Sequence, residues 1–509
     1  MGSKSRGRVY KSRWPKNRPV FYGFIRGRFM MLPEIKSAWP PNFTDRYITY
    51  SHFLLASCRL NYKTASTILP AQKALMSESL LNWEDYLQVA SASDVGMRRA
   101  TNQDNLCVSM ASSMEHWQRK GHVFIVADGM GAHAAGELAS KLAIDHIPHL
   151  YTKYNDTSAP EAMKRAVQDA NAEIHRRGQA NEEFHNMGTT CSVLSILPQG
   201  AVCAHIGDSR VYRLTQNKIE QLTFDHSLVW EMRAAGQLTA EEERMGKVPK
   251  NVITRSLGPY AECKVDLEGP FPVQVGDTFL LCSDGLTAVI SDTEIGSILA
   301  NMTPDEAVTV LVDLANLRGG PDNITIVVVK VTHPKLATAS NASAGLLKVN
   351  SKESKHAKSP LLWAVFGATF LLAALFLFLS NIIFASVLGG VAIGLLVYLI
   401  SQLVMSSQSG DEVTSNKRFG KGPYTRYNCA SSAQFGQQLA EMLNKLQQGA
   451  LRENWQVDWA QLKTLTSEAQ KAEQSGDHST SIRSYGRAVS FLMDQLRNQS
   501  DASSSSVEL

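Results

Sequence analysis

The sequence predicts an α+β domain over residues 86–333, and two observations carry that prediction. Short runs rich in β-branched residues arrive in groups, and the helical signals bunch between those groups. A doubly wound βαβ sheet would need strands and helices to alternate strictly. The strand-like runs are VFIVAD (123–128), TCSVLSIL (190–197), AVCAHIGD (201–208), RVYRL (210–214), TFLLCSD (278–284) and NITIVVVKV (323–331). Ala162, Met163, Ala166, Val167, Ala170 and Ile174 recur at the helical period. Ser291 with Glu294, and Thr303 with Glu306, have capping-box spacing, and Pro304 suits the first helical position.

At 509 residues the chain has room for two or three domains. Its net charge of +4 gives no reason to expect nucleic acid as a partner. The seven cysteines show no CxxC spacing, and most sit in apolar runs such as TCSVL and LLCSD. Buried thiols in a reducing compartment are therefore expected, not disulfides or zinc ligands. Residues 1–85 form an N-terminal extension whose first 28 positions hold nine Lys/Arg and no acid, the composition of a disordered basic arm. Met76 is a natural alternative start.

Residues 334–360 are small, polar and basic, which marks a linker. Residues 361–405 contain no charged side chain, about twice the ~20 apolar residues that one membrane-crossing helix needs. Ser380 and Asn381 interrupt the run near its middle, so two antiparallel spans are expected. Lys348, Lys352, Lys355 and Lys358 precede it and Lys417, Arg418, Lys421 and Arg426 follow it. Basic flanks on both sides suit a hairpin in lipid with both ends in the cytoplasm, at the bacterial inner membrane. Residues 427–500 read as helices, with Ile482, Tyr485, Val489, Leu492 and Leu496 in one apolar stripe. Ala469, Ala472, Gly476 and Asp477 give this part a resemblance to a single tetratricopeptide-type hairpin, a candidate site for a protein partner.

The chemistry lies in five acidic motifs: ATNQDN (Asp104), IVADGMGAH (Asp128), AHIGDSR (Asp208), LLCSDGL (Asp284) and GGPDNITIVVV (Asp322). Four of the aspartates fall at strand boundaries, next to Gly, Ser or Asn. Carboxylates gathered at one end of a sheet repel each other unless a cation neutralises them. All-oxygen ligands with no paired Cys or His favour Mg²⁺ or Mn²⁺.

In order along the chain, SDVGMRRATNQD, VADGMGAHAAGE, MGTTCSV, AHIGDSRVYRL, FDHSLV, NVITRSLG, LLCSDGLTAVISD and DNITIVVV resemble the protein phosphatase 2C family in its bacterial form, over about half of the chain. The resemblance implies a four-layer αββα sandwich of two antiparallel sheets flanked by helices. It implies that Asp128 bridges two metal ions and that Asp284 and Asp322 complete the first ion's shell. Asp104 and the carbonyl of Gly129 would hold the second, and Arg99 would bind the substrate phosphate. The two ions would polarise phosphoryl oxygens and lower the pKa of a bridging water that attacks phosphorus in line. Ser283 is not expected to act as a nucleophile.

Two departures from the family pattern stand out. Met130 occupies the place of a histidine proposed as general acid in eukaryotic members, as is common in bacterial ones, and nearby His133 is expected to be structural. Ala288 stands where the family keeps an aspartate that, with Asp208, holds a third ion, so that ion is in doubt. Residues 226–254, with Gly236, Gly246 and Pro249, match a mobile flap. The resemblance implies hydrolysis of phosphoserine and phosphothreonine in proteins, a Ser/Thr kinase and its targets among the substrates. A catalytically weak regulator or a membrane scaffold that binds phosphoproteins is the alternative.

Overall fold

A computed structural model describes residues 83–338 apart from positions 133, 247, 250 and 251, scattered positions between 367 and 396, and residues 418–505. The basic N-terminal stretch, His133, most of the linker and most of the apolar run 361–405 therefore lie outside the described residues. The described positions of that run are helical, and Leu371, Leu375, Ile383, Val387 and Ile393 among them are exposed. Among the described residues no helix is long and apolar enough to cross a membrane.

From Trp83 onward the elements follow the order β1 (Leu87–Asp94), β2 (Asp104–Ser109), α1 (Met114–Lys120), β3 (His122–Met130), α2 (Ala135–Lys153) and α3 (Ala159–Ala180). Next come β4 (Gly188–Thr189), β5 (Cys191–Leu197), β6 (Gly200–Ile206), β7 (Arg210–Thr215), β8 (Lys218–Gln221), α4 (Leu228–Ala234) and α5 (Ala240–Arg244). Then follow β9 (Asp266–Phe271), β10 (Thr278–Cys282), α6 (Asp284–Thr287), α7 (Asp292–Asn301), α8 (Pro304–Leu317) and β11 (Ile324–Val331). After the apolar run follow β12 (Thr425–Asn428), α9 (Ala433–Arg452), α10 (Trp459–Gln474) and α11 (His478–Ser505).

Two antiparallel sheets result. One runs β1-β11-β10-β7-β8-β12, and the other β2-β3-β5-β6-β9 with β4 beside β3. Strand side chains alternate between faces. In β3, Val123, Ile125 and Ala127 join the cluster under α2 and α3, leaving Phe124 and Val126 for the other face. Both faces are buried, which is why this strand reads as an unbroken apolar run. On the far side, α7 and α8 cover the first sheet in a second cluster with Leu280, Ile326 and Val328. Both expected capping boxes form, at Ser291/Glu294 and Thr303/Glu306. The described cysteines are free, and Cys191, Cys203, Cys282 and Cys429 are buried.

The C-terminal residues depart from the expected separate helical segment. Residues 425–428 are a strand, paired antiparallel with β8, so the segment begins inside the sandwich. The stripe Ile482, Tyr485, Val489 and Leu492 is buried in the same cluster as Leu311 and Leu314 of α8. Ion pairs reinforce this contact: Arg483 and Arg487 meet Glu306, and Arg497 meets the fully buried Asp313.

Candidate active site

The end of the sandwich is built by register. Asp104 opens β2 directly opposite Asp128 of β3. Like charges facing each other across a ladder are unfavourable, so this pairing needs compensation. Thr190 holds Asp128 from below: the Asp128 N–H donates to Thr190 Oγ1 at 2.9 Å, and Thr190 Oγ1 bonds Ser209 Oγ at 2.7 Å. Ser209 follows Asp208 in the β6–β7 turn, so the same network fixes the positions of two acidic residues.

Glycine is required beside Asp128. A Cβ on Gly129 would lie 2.1 Å from the Gly136 carbonyl and 2.6 Å from that of Gln103. The close approach leaves the backbone next to Asp128 free of any side chain.

Asp284 begins α6, behind Ser283, whose hydroxyl donates to Asp104 Oδ2 at 2.7 Å. Ser283 thus orients a carboxylate, and sequence reasoning did not find that role. Asp322 precedes β11. Its neighbour Asn323 accepts the Gln103 N–H at 2.9 Å and donates to the Val95 and Thr101 carbonyls. That amide ties the Arg99–Asp104 loop to the Asp322 turn. Arg99 Nη2 lies 2.6 Å from Asp322 Oδ2 with its side chain half exposed, at the rim of the basin.

The electrostatics are those of crowded buried acids. Burial pushes Asp104 up to about 7, against the hydrogen bond from Ser283. Burial, then Asp284 and Asp225, push Asp208 up to about 8. Asp284 rises to about 6 through burial and Asp322, although a hydrogen bond with Asp128 opposes the shift. Asp128 is held well above the ordinary carboxylate range by burial, Asp104 and Asp284. One buried oxygen each of Asp104, Asp208 and Asp284 has no hydrogen-bond partner. Unpaired carboxylate oxygens around a common basin fit a hard divalent cation. Among the described residues no three His, Cys, Asp or Glu side chains stand close enough together to hold one as they are.

Ala288 caps α6 one turn after Asp284 and is exposed, supplying no ligand. The 226–254 loop is rooted at the basin on both stems. His226 Nδ1 accepts the Gly207 N–H at 3.0 Å, and its Nε2 meets Asp266 at 2.9 Å. Leu257, just beyond the loop, bridges Thr189, whose hydroxyl donates to the Asp128 carbonyl.

The model of the family described as protein phosphatase 2C matches residues 98–305. Protein phosphatase PhpP of Streptococcus pneumoniae is 38% identical over 252 residues, which are 48% of this chain and 98% of that protein. The chain belongs to the protein phosphatase 2C family. The serine/threonine phosphatase stp of Listeria monocytogenes is 36% identical over 213 residues, 41% of this chain and 84% of that one. A solved structure of the Mycobacterium tuberculosis serine/threonine phosphatase PstP/Ppp aligns at 32% identity and a TM-score of 0.43, covering 49% of this chain and 100% of that one. The phosphatase described here is accordingly a protein-serine/threonine phosphatase, acting on phosphoproteins.

Proposed function

We propose that the chain is a membrane-tethered phosphatase whose acidic basin takes two Mn²⁺ or Mg²⁺ ions to hydrolyse phosphoserine and phosphothreonine in cytoplasmic proteins. The unpartnered buried oxygens of Asp104, Asp208 and Asp284 around Asp128 carry this reading. Asp128 would be shared between the ions, with Asp284 and Asp322 serving one, and Asp104 and the Gly129 carbonyl the other. Ions held there would supply the Lewis acid and activate the attacking water. Ser283 keeps the Asp104 carboxylate aimed inward, and Thr190 keeps the Asp128 backbone in register. Arg99 would receive the substrate phosphate: its guanidinium is half exposed and pairs with Asp322, and a phosphate dianion would be a competing bidentate acceptor. A third ion at Asp208 lacks a second carboxylate, because Ala288 offers only a methyl group.

The uncharged run 361–405 with basic flanks supports anchoring as a two-span hairpin that leaves both soluble parts at the cytoplasmic face of the bacterial inner membrane. Substrates held there, including a Ser/Thr kinase and its targets, would meet the active site at raised local concentration.

The full chain in nanodiscs should hydrolyse p-nitrophenyl phosphate and a phosphothreonine peptide only with millimolar Mn²⁺ or Mg²⁺ present. Asp284→Asn should lose most of both activities. Folded protein that turns over equally well after exhaustive chelation would refute the two-ion reading, and release of the chain from membranes by alkaline carbonate would refute the anchor.

A further inference from the structure

The segment that follows the apolar run enters the sandwich as a strap. Strand β9 ends one sheet, and β8 would end the other if β12 were not paired beside it; an edge strand presents unpaired N–H and C=O groups. Residues 419–428 cover part of both edges. Phe419 forms an antiparallel bridge with Gly269 of β9, and β12 completes the ladder with β8. Between these anchors the strap is held by Glu268, a β9 carboxylate that is 2% exposed. Its oxygens accept the Gly422 N–H at 2.9 Å and the Tyr424 hydroxyl. A Cβ on Gly420, at φ +66°, would lie within 2.0 Å of that carboxyl, so the strap runs as close to it as a chain can. A buried carboxylate with such partners is a built receptor for this segment.

The strap also reaches the flap. The Tyr424 ring meets Phe224 edge-on at 5.3 Å, and Phe224 meets Trp230 at 5.4 Å and 86°. Trp230 belongs to α4, the first helix of the 226–254 loop. Phe224 also lies 6.3 Å from His226, which holds the Gly207 N–H next to Asp208. Three rings in a row therefore connect the segment that follows the apolar run to the first helix of the 226–254 loop. Edge-on rings have a preferred geometry, so the row transmits orientation and not merely contact.

We infer that Tyr424 is a positioning residue for the flap: its ring, seated by Glu268, sets Trp230 and so the path by which a phosphoprotein reaches the acidic basin. The inference rests on the active-site reading above. A small aryl phosphate tests that reading, whereas the contrast between peptide and aryl phosphate tests the strap. Removing the ring should loosen α4, leave the basin intact and penalise only the substrate large enough to touch the flap.

The experiment uses the full chain in nanodiscs and compares Tyr424→Leu, Tyr424→Phe, Phe224→Leu and the bystander Tyr427→Ala, a change at an exposed strap position. Kinetics with both substrates are paired with mass-mapped tryptic cleavage inside 226–254. Tyr424→Leu is expected to raise KM for a phosphothreonine peptide about fivefold and speed flap cleavage by a similar factor, with aryl phosphate kinetics within about twofold of wild type. Tyr424→Phe should restore both, Phe224→Leu should copy the leucine effect from the other end of the row, and Tyr427→Ala should change neither. The inference is overturned if Tyr424→Leu leaves peptide kinetics and flap cleavage unchanged, or if both substrates decline together with Tm. It is equally overturned if Phe224→Leu fails to reproduce the effect, a comparison that holds even where Tyr424→Leu does not fold.

Discussion

Two regions of this molecule bury acidic side chains, and they treat them in opposite ways. On the C-terminal docking face three buried or half-buried carboxylates meet arginines. Glu306 receives Arg483 and Arg487, Asp313 receives Arg497, and Glu220 is bracketed by Arg213 and Arg426. In the acidic basin Asp104, Asp128, Asp208 and Asp284 share one another's field, with Arg99 at the rim bonded to Asp322. The first arrangement is complete within the chain. The second is complete only when positive charge arrives from outside, and that difference separates a structural cluster from a reactive one.

The largest effect should come from removing charge where it is uncompensated. Asp128→Asn is expected to lower turnover on the order of 10³-fold, the scale of losing a preorganised electrostatic group. The same change should stabilise the metal-free protein by about 1 kcal/mol, because Asp104 then faces a neutral amide. Calorimetry in chelator beside a phosphatase assay checks both signs. Loss of activity together with lower metal-free stability would break the contrast, because Asp128 would then be a structural residue like Glu306.

The next effect is the pH response of the basin. Its carboxyls sit above their unfolded values, at about 7 for Asp104, about 8 for Asp208 and about 6 for Asp284. A raised carboxyl stabilises the fold at pH values below its unfolded pKa, and that contribution is lost as pH climbs through the folded one. Metal-free protein should therefore lose about 1–3 kcal/mol between pH 6 and pH 8. Mn²⁺ should raise Tm more at pH 8 than at pH 6 and release protons as it binds. A chelated Tm that stays level across this range would show the acids to be already compensated.

The parts of this contrast were unequally legible in the sequence. The six strand-like runs became β3, β5, β6, β7, β10 and β11, since burial on both faces leaves a continuous apolar signature. Strands β1, β2, β4, β8, β9 and β12 escaped notice. β1 and β12 carry several exposed or half-buried polar residues, and β9 contains Gly269-Pro270. The five aspartates were visible as motifs, but the register that sets Asp104 against Asp128 depends on strands brought together by the whole fold. Ser283 donates to Asp104, yet nothing local to it revealed that carboxylate as its partner. The stripe of Ile482, Tyr485, Val489 and Leu492 announced a buried face without saying what buries it, and α8 proved to be the answer.

The smallest effect sharpens the comparison by reversing its pH sign. Burial works against the charge of Glu306, but the Thr303 backbone N–H and the two arginines of α11 hold its carboxyl down to about 2. A depressed carboxylate contributes stability above its unfolded value near 4.5 and loses it as pH falls toward the folded one. The arginine side chains are about 40% exposed, so solvent screens the pairs and Glu306→Gln should cost only about 0.5–1 kcal/mol at pH 7. That cost should shrink in acid, where wild type also loses its charge, whereas the gain from Asp128→Asn should grow toward alkaline pH. Melting curves of both variants from pH 3 to pH 8 measure the two slopes together. Slopes of the same sign would mean that the docking face and the basin are not distinguished by how their acids are compensated.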